Sequence, residues 1–262
     1  MGTLERVNNL PTTSPPPVSA PGLWTTPVRG RVALSALAWV LGYVAALVVV
    51  VLLGLYAAST FGAGMPDMAL LALVVLAGTA VAALAAVRVH LLRRRGLTWA
   101  DLGVRRPDRS LVHLLWQIPA VMVGGVVASV LVSVLFSVFA PAPFGATEDP
   151  ADEAIGDLIS AGPVIAVLGL LSVAVLVPLA EEVVFRGIVL PALRARFRAA
   201  AGITLAGTVF ALVHLVPPAL PYLLVVGISL CVMAEWYRSI VPGIVLHGVN
   251  NALVFGAILA TV

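Results

Sequence analysis

The sequence predicts an all-α fold: a polytopic transmembrane helical bundle of about seven spans with a cytoplasmic N-terminus. Three observations predict it. First, the 262 residues are 61% hydrophobic and only 10% charged, with a mean hydropathy of +1.11. A soluble domain is nearer half apolar and a quarter charged. Second, apolar runs of ~17–25 residues recur without alternating polar positions, which favours helices over a barrel. Third, all 15 basic residues are arginines, and they cluster between the apolar runs. That placement fits membrane topology rather than a nucleic-acid-binding stripe, so no nucleic-acid partner is expected.

Residues 1–29 are rich in Pro, Ser and Thr and read as a disordered cytoplasmic tail. They do not read as a signal peptide, because no apolar core and cleavage site follow a charged start. The expected spans are 32–59, 67–89, 111–140, 162–190, 200–216, 219–236 and 240–262. The fifth and sixth are short and separated by Pro217-Pro218, which allows two short spans or a tight re-entrant pair. The N-terminal helices occupy 30–140 and include a basic connection at 90–110. An acidic external loop follows at 141–161, and a second membrane unit covers 162–262.

Arginine positions set the orientation. The tail, the second, fourth and sixth connections carry the arginines, and the opposite connections carry none. One of those opposite connections carries Glu148, Asp149, Asp152, Glu153 and Asp157. Positive charge stays inside, so the N-terminus is expected in the cytoplasm and the C-terminus outside. Within the basic connection, Thr98 and Asp101 are spaced to cap a short interfacial helix anchored by Trp99. His90 and His113 flank that connection and read as interfacial. Glu235 is three residues before Arg238 and reads as its snorkelling ion-pair partner. The single cysteine, Cys231, reads as a small buried hydrophobe and permits no disulfide within the chain.

Polar residues inside apolar spans are costly and mark candidate sites. Glu181 and Glu182 end a long apolar run, and Arg186 follows. Glu182 and Arg186 are four apart on a helix and can pair. Glu181 stands about 100° around the helix and is left without that partner. Phe210 precedes His214 by one turn and can pack beside its ring. His247 and Asn251 share a helix face, Asn250 points elsewhere, and Gly248 lets a neighbour approach. Helical rise puts Glu181 ~20 Å from Arg194, His214 ~24 Å from Arg198 and His247 ~14 Å from Arg238. The three can therefore meet in one cavity between midplane and the cytoplasmic face.

A carboxylate, two imidazoles and an amide in such a cavity suit water activation. The carboxylate can act as general base, while a histidine and an amide can donate to an oxyanion. Alternatively, Glu181, His214 and His247 could bind zinc, since two histidines and a glutamate form a known catalytic zinc set. No H-E-x-x-H helix is present.

Glu181-Glu182-x-x-x-Arg186, Phe210-x-x-x-His214 and His247-x-x-x-Asn251, in this order, resemble the CPBP intramembrane proteases. That family includes the type II CAAX prenyl endopeptidases and the bacterial Abi, or bacteriocin-immunity, proteins. The resemblance covers about the C-terminal 100 residues, and 97–104 is similar to the family's pre-domain connection. It implies peptide-bond hydrolysis in the membrane. It further implies that Glu181 and His214 activate water, that His247 and Asn251 stabilise the oxyanion, and that Glu182 and Arg186 support the site. The family has been described both as metal-dependent and as glutamate-dependent, so the cofactor expectation is none or zinc. The expected partners are membrane lipid and a membrane-associated or lipidated peptide. The all-arginine, Ala/Val-rich composition is similar to that of GC-rich bacteria and points to a bacterial plasma membrane. A proton-coupled transporter and a non-catalytic immunity or scaffold protein are the competing expectations.

Overall fold

The computed structural model describes residues 28, 30–62, 66–139 and 150–261. The described residues form an all-α bundle. Its helices are α1 (Arg31–Thr60), α2 (Met68–Arg93), α3 (Leu114–Phe139), α4 (Pro150–Ser160), α5 (Pro163–Arg194), α6 (Ala199–Leu212), α7 (Leu220–Tyr237) and α8 (Val241–Leu259). Six of the helices are long and apolar enough to cross a membrane: α1, α2, α3, α5, α7 and α8. The chain is therefore an integral membrane protein. α6, expected as a seventh span, is a shorter apolar helix of 14 residues. The tail expected at 1–29 and Glu148 and Asp149 lie outside the described residues. The second half of the acidic connection is helical, as α4, and buries Ile155 and Leu158.

Small residues set how closely these helices approach. A Cβ on Gly207 would stand 2.7 Å from the backbone nitrogen of Ile228, and one on Gly227 would stand 2.8 Å from the Gly207 carbonyl oxygen. α6 and α7 therefore touch backbone to backbone at this crossing. Gly124 and Gly125 face α7, where Gly125 receives the Tyr222 ring. This part of the small-residue patch on α3 serves packing inside the chain.

The arginine-bearing connections come together at one end of the bundle. Residues 97–110 dock on the junction between α7 and α8. Ile240 N–H donates to the Gly103 carbonyl at 2.9 Å, and Asp108 N–H donates to the Tyr237 carbonyl at 3.0 Å. Arg105 Nε donates to the Arg238 carbonyl at 2.6 Å, and Ser239 Oγ donates to the Arg105 carbonyl at 2.6 Å. Arg109 stacks over Trp236 and donates to its carbonyl. Leu102, without exposure, packs on α5, where a Cβ on Gly187 would stand 2.8 Å from the Leu102 carbonyl oxygen. The Thr98–Asp101 box forms reciprocally, with Thr98 N and Oγ1 donating to Asp101 Oδ2 at 2.8 and 2.7 Å. These bonds hold the Asp101 carboxyl below the usual carboxylate range. The helix it caps is a single 3₁₀ turn, Ala100–Leu102, shorter than expected.

Two side chains at this end find partners other than the expected ones. Glu235 pairs with Arg194 at 2.8 Å rather than with Arg238. Arg238 ends α7 in a left-handed conformation, φ 52°, and pairs with Asp108 at 3.2 Å. The left-handed residue breaks the i,i+3 geometry that sequence spacing assumes. His90, expected at the interface, is buried and stacks on Trp39 with ring centroids 3.8 Å apart, Tyr43 meeting it edge-on. His113 packs edge-on against Trp236. Cys231 is fully buried, as expected.

Candidate active site

α5 carries the first motif and is not a regular α-helix. It contains two wide π turns, Ser172–Leu176 and Phe185–Val189, on either side of the glutamates. Such bulges rotate the following face of a helix and recur at functional sites. Pro178 follows the first turn and has no N–H to offer the Ala174 carbonyl. α8 fills that place: a Cβ on Gly248 would clash with the Ala174 carbonyl oxygen. In the same turn the Val173 carbonyl accepts from Asn251 Nδ2 at 3.0 Å. The irregular stretch of α5 thus fixes the height at which α8 presents its motif.

Glu182 and Arg186 have no exposure. Arg186 Nη1 donates to Glu182 Oε1 at 2.8 Å, Nη2 donates to the Gly227 carbonyl at 3.0 Å, and the guanidinium lies 4.4 Å from the centre of the Phe210 ring. A planar guanidinium can serve a carboxylate, a carbonyl and a ring face at once, which an ammonium cannot. Gly243 leaves room for this carboxylate, since a Cβ there would stand 2.9 Å from Glu182 Oε2.

His247 bridges the two glutamates. Its Nδ1 lies 3.1 Å from Glu182 Oε1, and its Nε2 lies 3.5 Å from Glu181 Oε2. The second contact is close enough for charge attraction but makes no hydrogen bond, and Oε2 of Glu181 stays without one. A buried carboxylate on one ring nitrogen fixes the imidazole's orientation and leaves the other nitrogen for chemistry. Glu182 therefore does more than neutralise Arg186. Glu181, the less buried of the pair, has no arginine on it and lines a cavity beside His247.

That cavity has a volume of about 360 Å³. Glu181, Phe210, His214, His247 and Asn251 all line it, so the three motifs converge. His214 is not inside a span: α6 ends at Leu212, and His214 sits in the turn that follows, ahead of Leu215 at φ 56°. Its Nδ1 lies 2.7 Å from the Phe210 carbonyl, so it donates there and Nε2 is left as the acceptor in a neutral ring. Phe210 meets both imidazoles edge-on, with centroids 4.7 Å from His214 and 5.7 Å from His247.

Asn250 does not point elsewhere. It is buried, lines the same cavity, and donates from Nδ2 to Asn251 Oδ1 at 3.2 Å. Tyr222 donates its hydroxyl to Asn250 Oδ1. Tyr222, Asn250, Asn251 and the Val173 carbonyl form one directed chain of hydrogen bonds. Each amide retains a second N–H. A step of 100° along α8 excluded Asn250 from the expected face, but the cavity wraps further round the helix than one stripe. Tyr222 follows Pro217-Pro218 and had no sequence signal beyond being a tyrosine in an apolar run.

The zinc alternative meets a geometric obstacle. Among the described residues, no three His, Cys, Asp or Glu side chains are grouped so as to hold a metal ion. Glu181 and His247 are in contact, while His214, whose Nδ1 donates to a backbone carbonyl and leaves Nε2 free, does not complete a group of three with them.

The arrangement offers a carboxylate oxygen, an accepting imidazole nitrogen and several N–H donors around one polar-floored cavity. Neither the curated proteins nor the solved structures compared with the chain gave a match. Residues 163–253 match the family model described as type II CAAX prenyl endopeptidase, Rce1-like. This stretch begins with α5 and ends within α8, so it holds every residue of the three motifs. Over residues 163–253 the chain carries a domain of the Rce1-like type II CAAX prenyl endopeptidase (CPBP) family.

Proposed function

We propose that the chain is an intramembrane endopeptidase of a bacterial plasma membrane, hydrolysing a peptide bond of a membrane-associated peptide with water activated by Glu181. One observation carries the reading: Glu181, whose Oε2 accepts no hydrogen bond, lines a cavity that two imidazoles and two amides also line. Water in that cavity gives a proton to Glu181 as it attacks the scissile carbonyl. His214 Nε2 accepts from the same water and orients it. The tetrahedral oxyanion takes hydrogen bonds from the second N–H of Asn251 and, since Nδ1–H is given to Glu182, from His247 Nε2–H of the doubly protonated ring. Glu182 holds His247 through Nδ1, as the carboxylate does in other carboxylate–histidine pairs. Glu181 then returns its proton to the leaving amine, which closes the proton balance. The Tyr222–Asn250 pair holds Asn251 in register.

The test is cleavage of a quenched, lipidated peptide by the purified protein in detergent. Wild type should cleave, while Glu181→Gln and His247→Ala should not. Cleavage by Glu181→Gln at the wild-type rate would remove the proposed base. Chelator followed by added zinc, in the same assay, reads any metal requirement.

A further inference from the structure

A groove of about 500 Å³ lies between α2, α5 and the connection 97–110, and it shares no lining residue with the cavity of Glu181. Val81, Leu84, Ala85 and Arg88 line it from α2. Their spacing of i, i+3, i+4 and i+7 makes one stripe along the helix, ~10 Å long. Leu179 of α5 lines it as well, and so do Trp99 and Val104 of the connection. The connection belongs to the arginine-bearing end of the bundle, and the stripe on α2 ends there in Arg88. Val81, Arg88 and Trp99 are exposed, so the groove opens on the outer surface of a bundle that sits in lipid.

Arg88 is the one charged residue on this apolar lining, and its guanidinium takes no carboxylate among the described residues. The nearby acidic side chains are committed elsewhere, Asp101 to Thr98 and Asp108 to Arg238. The same end exposes Arg93, Arg94, Arg95 and Arg106. An apolar stripe parallel to a membrane helix thus ends in an uncompensated cation, in a field of further cations.

We propose that this groove is a site for an anionic phospholipid, with one acyl chain along the α2 stripe and the phosphate on Arg88. A guanidinium offers two parallel N–H donors to phosphate oxygens. Trp99 stands where tryptophans gather, at the level of the headgroups. A zwitterionic lipid fills the stripe as well, but the surplus of arginines favours the headgroup with net negative charge. Leu179 lies two residues before Glu181, and the connection is bonded to the α7–α8 junction. A bound lipid therefore ties the helix of the first motif to the segment that braces α7 and α8. The lipid site stands whether or not the chain cleaves peptides.

The probe is phosphatidylglycerol carrying a photoactivatable diazirine in one acyl chain, added to the full chain in neutral detergent, with labelled residues mapped by mass spectrometry. Label should fall on 81–85 and on Leu179. Unlabelled phosphatidylglycerol should compete about fivefold better than phosphatidylcholine, the worth of one cation near a headgroup. Arg88→Gln should abolish that difference, and Arg198→Gln, which removes an exposed arginine beyond α5, should keep it. Ala85→Trp, which fills the stripe, should remove the label. Label scattered over the outward faces of α1 and α3 means bulk lipid only and overturns the site, and this wild-type map decides even if Ala85→Trp fails to fold. Equal competition by the two lipids, or equal loss in Arg198→Gln, removes the part given to Arg88 and overturns the proposal. Displacement by a lipidated peptide, or a disulfide dimer through Ala85→Cys, would give the groove to a substrate's tail or to a second copy, and overturns it too.

Discussion

Gln117 on α3 and Glu182 on α5 are both buried polar side chains in membrane-spanning helices, and they are satisfied differently. Gln117 accepts from the Tyr237 hydroxyl at 2.8 Å and does not line the cavity of Glu181. Glu182 belongs to a network that joins α5, α7 and α8 and touches the Phe210 ring of α6 through Arg186. The N-terminal helices otherwise present apolar side chains outward, such as Leu41, Leu53, Leu115 and Leu131. In them the buried polar groups stand apart: Gln117 pairs with Tyr237, and His90 is held between the Trp39 and Tyr43 rings. In the domain at 163–253 the polar groups are connected, and the connection ends in donors and acceptors left open toward a cavity. Isolated pairs anchor; an open-ended network can react.

The comparison breaks most visibly at Glu181. Glu181→Gln should lower peptide hydrolysis by about 10²–10⁴-fold, with unchanged thermal unfolding, because a general base is lost and no structural bond goes with it. Gln117→Leu should leave kcat/KM at the wild-type value. Next comes Arg186→Met, which strands a carboxylate that has no exposure. It should cost about 3–5 kcal/mol of stability. The double variant Glu182→Leu/Arg186→Met should recover much of that loss but not the activity, since His247 Nδ1 loses its carboxylate. Recovery of both would reduce Glu182 to a packing residue. Tyr222→Phe should cost about 1 kcal/mol, the worth of one buried hydrogen bond, with a larger drop in kcat than in KM. Thr98→Ala is the smallest, at about 0.5–1 kcal/mol in an exposed cap. Its effect should vanish in acid. The Asp101 carboxyl is held below its usual range, so its stabilisation is present above that range and is lost as pH falls through the lowered value. Unfolding midpoints of the variant and wild type across acid pH check this.

Much of the architecture could be read from residue order. Uninterrupted apolar runs give spans because the backbone in lipid has no other partner than itself. The Glu182–Arg186 pair follows from helical spacing alone. Depth arithmetic allows Glu181, His214 and His247 to gather at one cavity without requiring it. What could not be read depends on contacts between distant segments. Glu235 chooses Arg194, 41 residues away, because Arg238 leaves the helix in a left-handed step. His90 goes inside because Trp39 on another helix offers a ring face. The π turns of α5 depend on how α8 seats against Ala174, and only Pro178 hints at them. Asn250 and Tyr222 enter the site by the same route: a cavity is a property of several helices, and a helical wheel describes one.

Because Glu182 and Arg186 sit four apart on one helix, their charges cancel before any later helix is synthesised. α5 can therefore leave the translocation machinery with its interior nearly neutral, Glu181 being the carboxyl left over there and Arg194 standing at its end. Placing the countercharge on α7 or α8 instead would have stalled α5 at the lipid boundary until those helices were made. The pairing that orders the finished site also lets the protein be assembled one helix at a time.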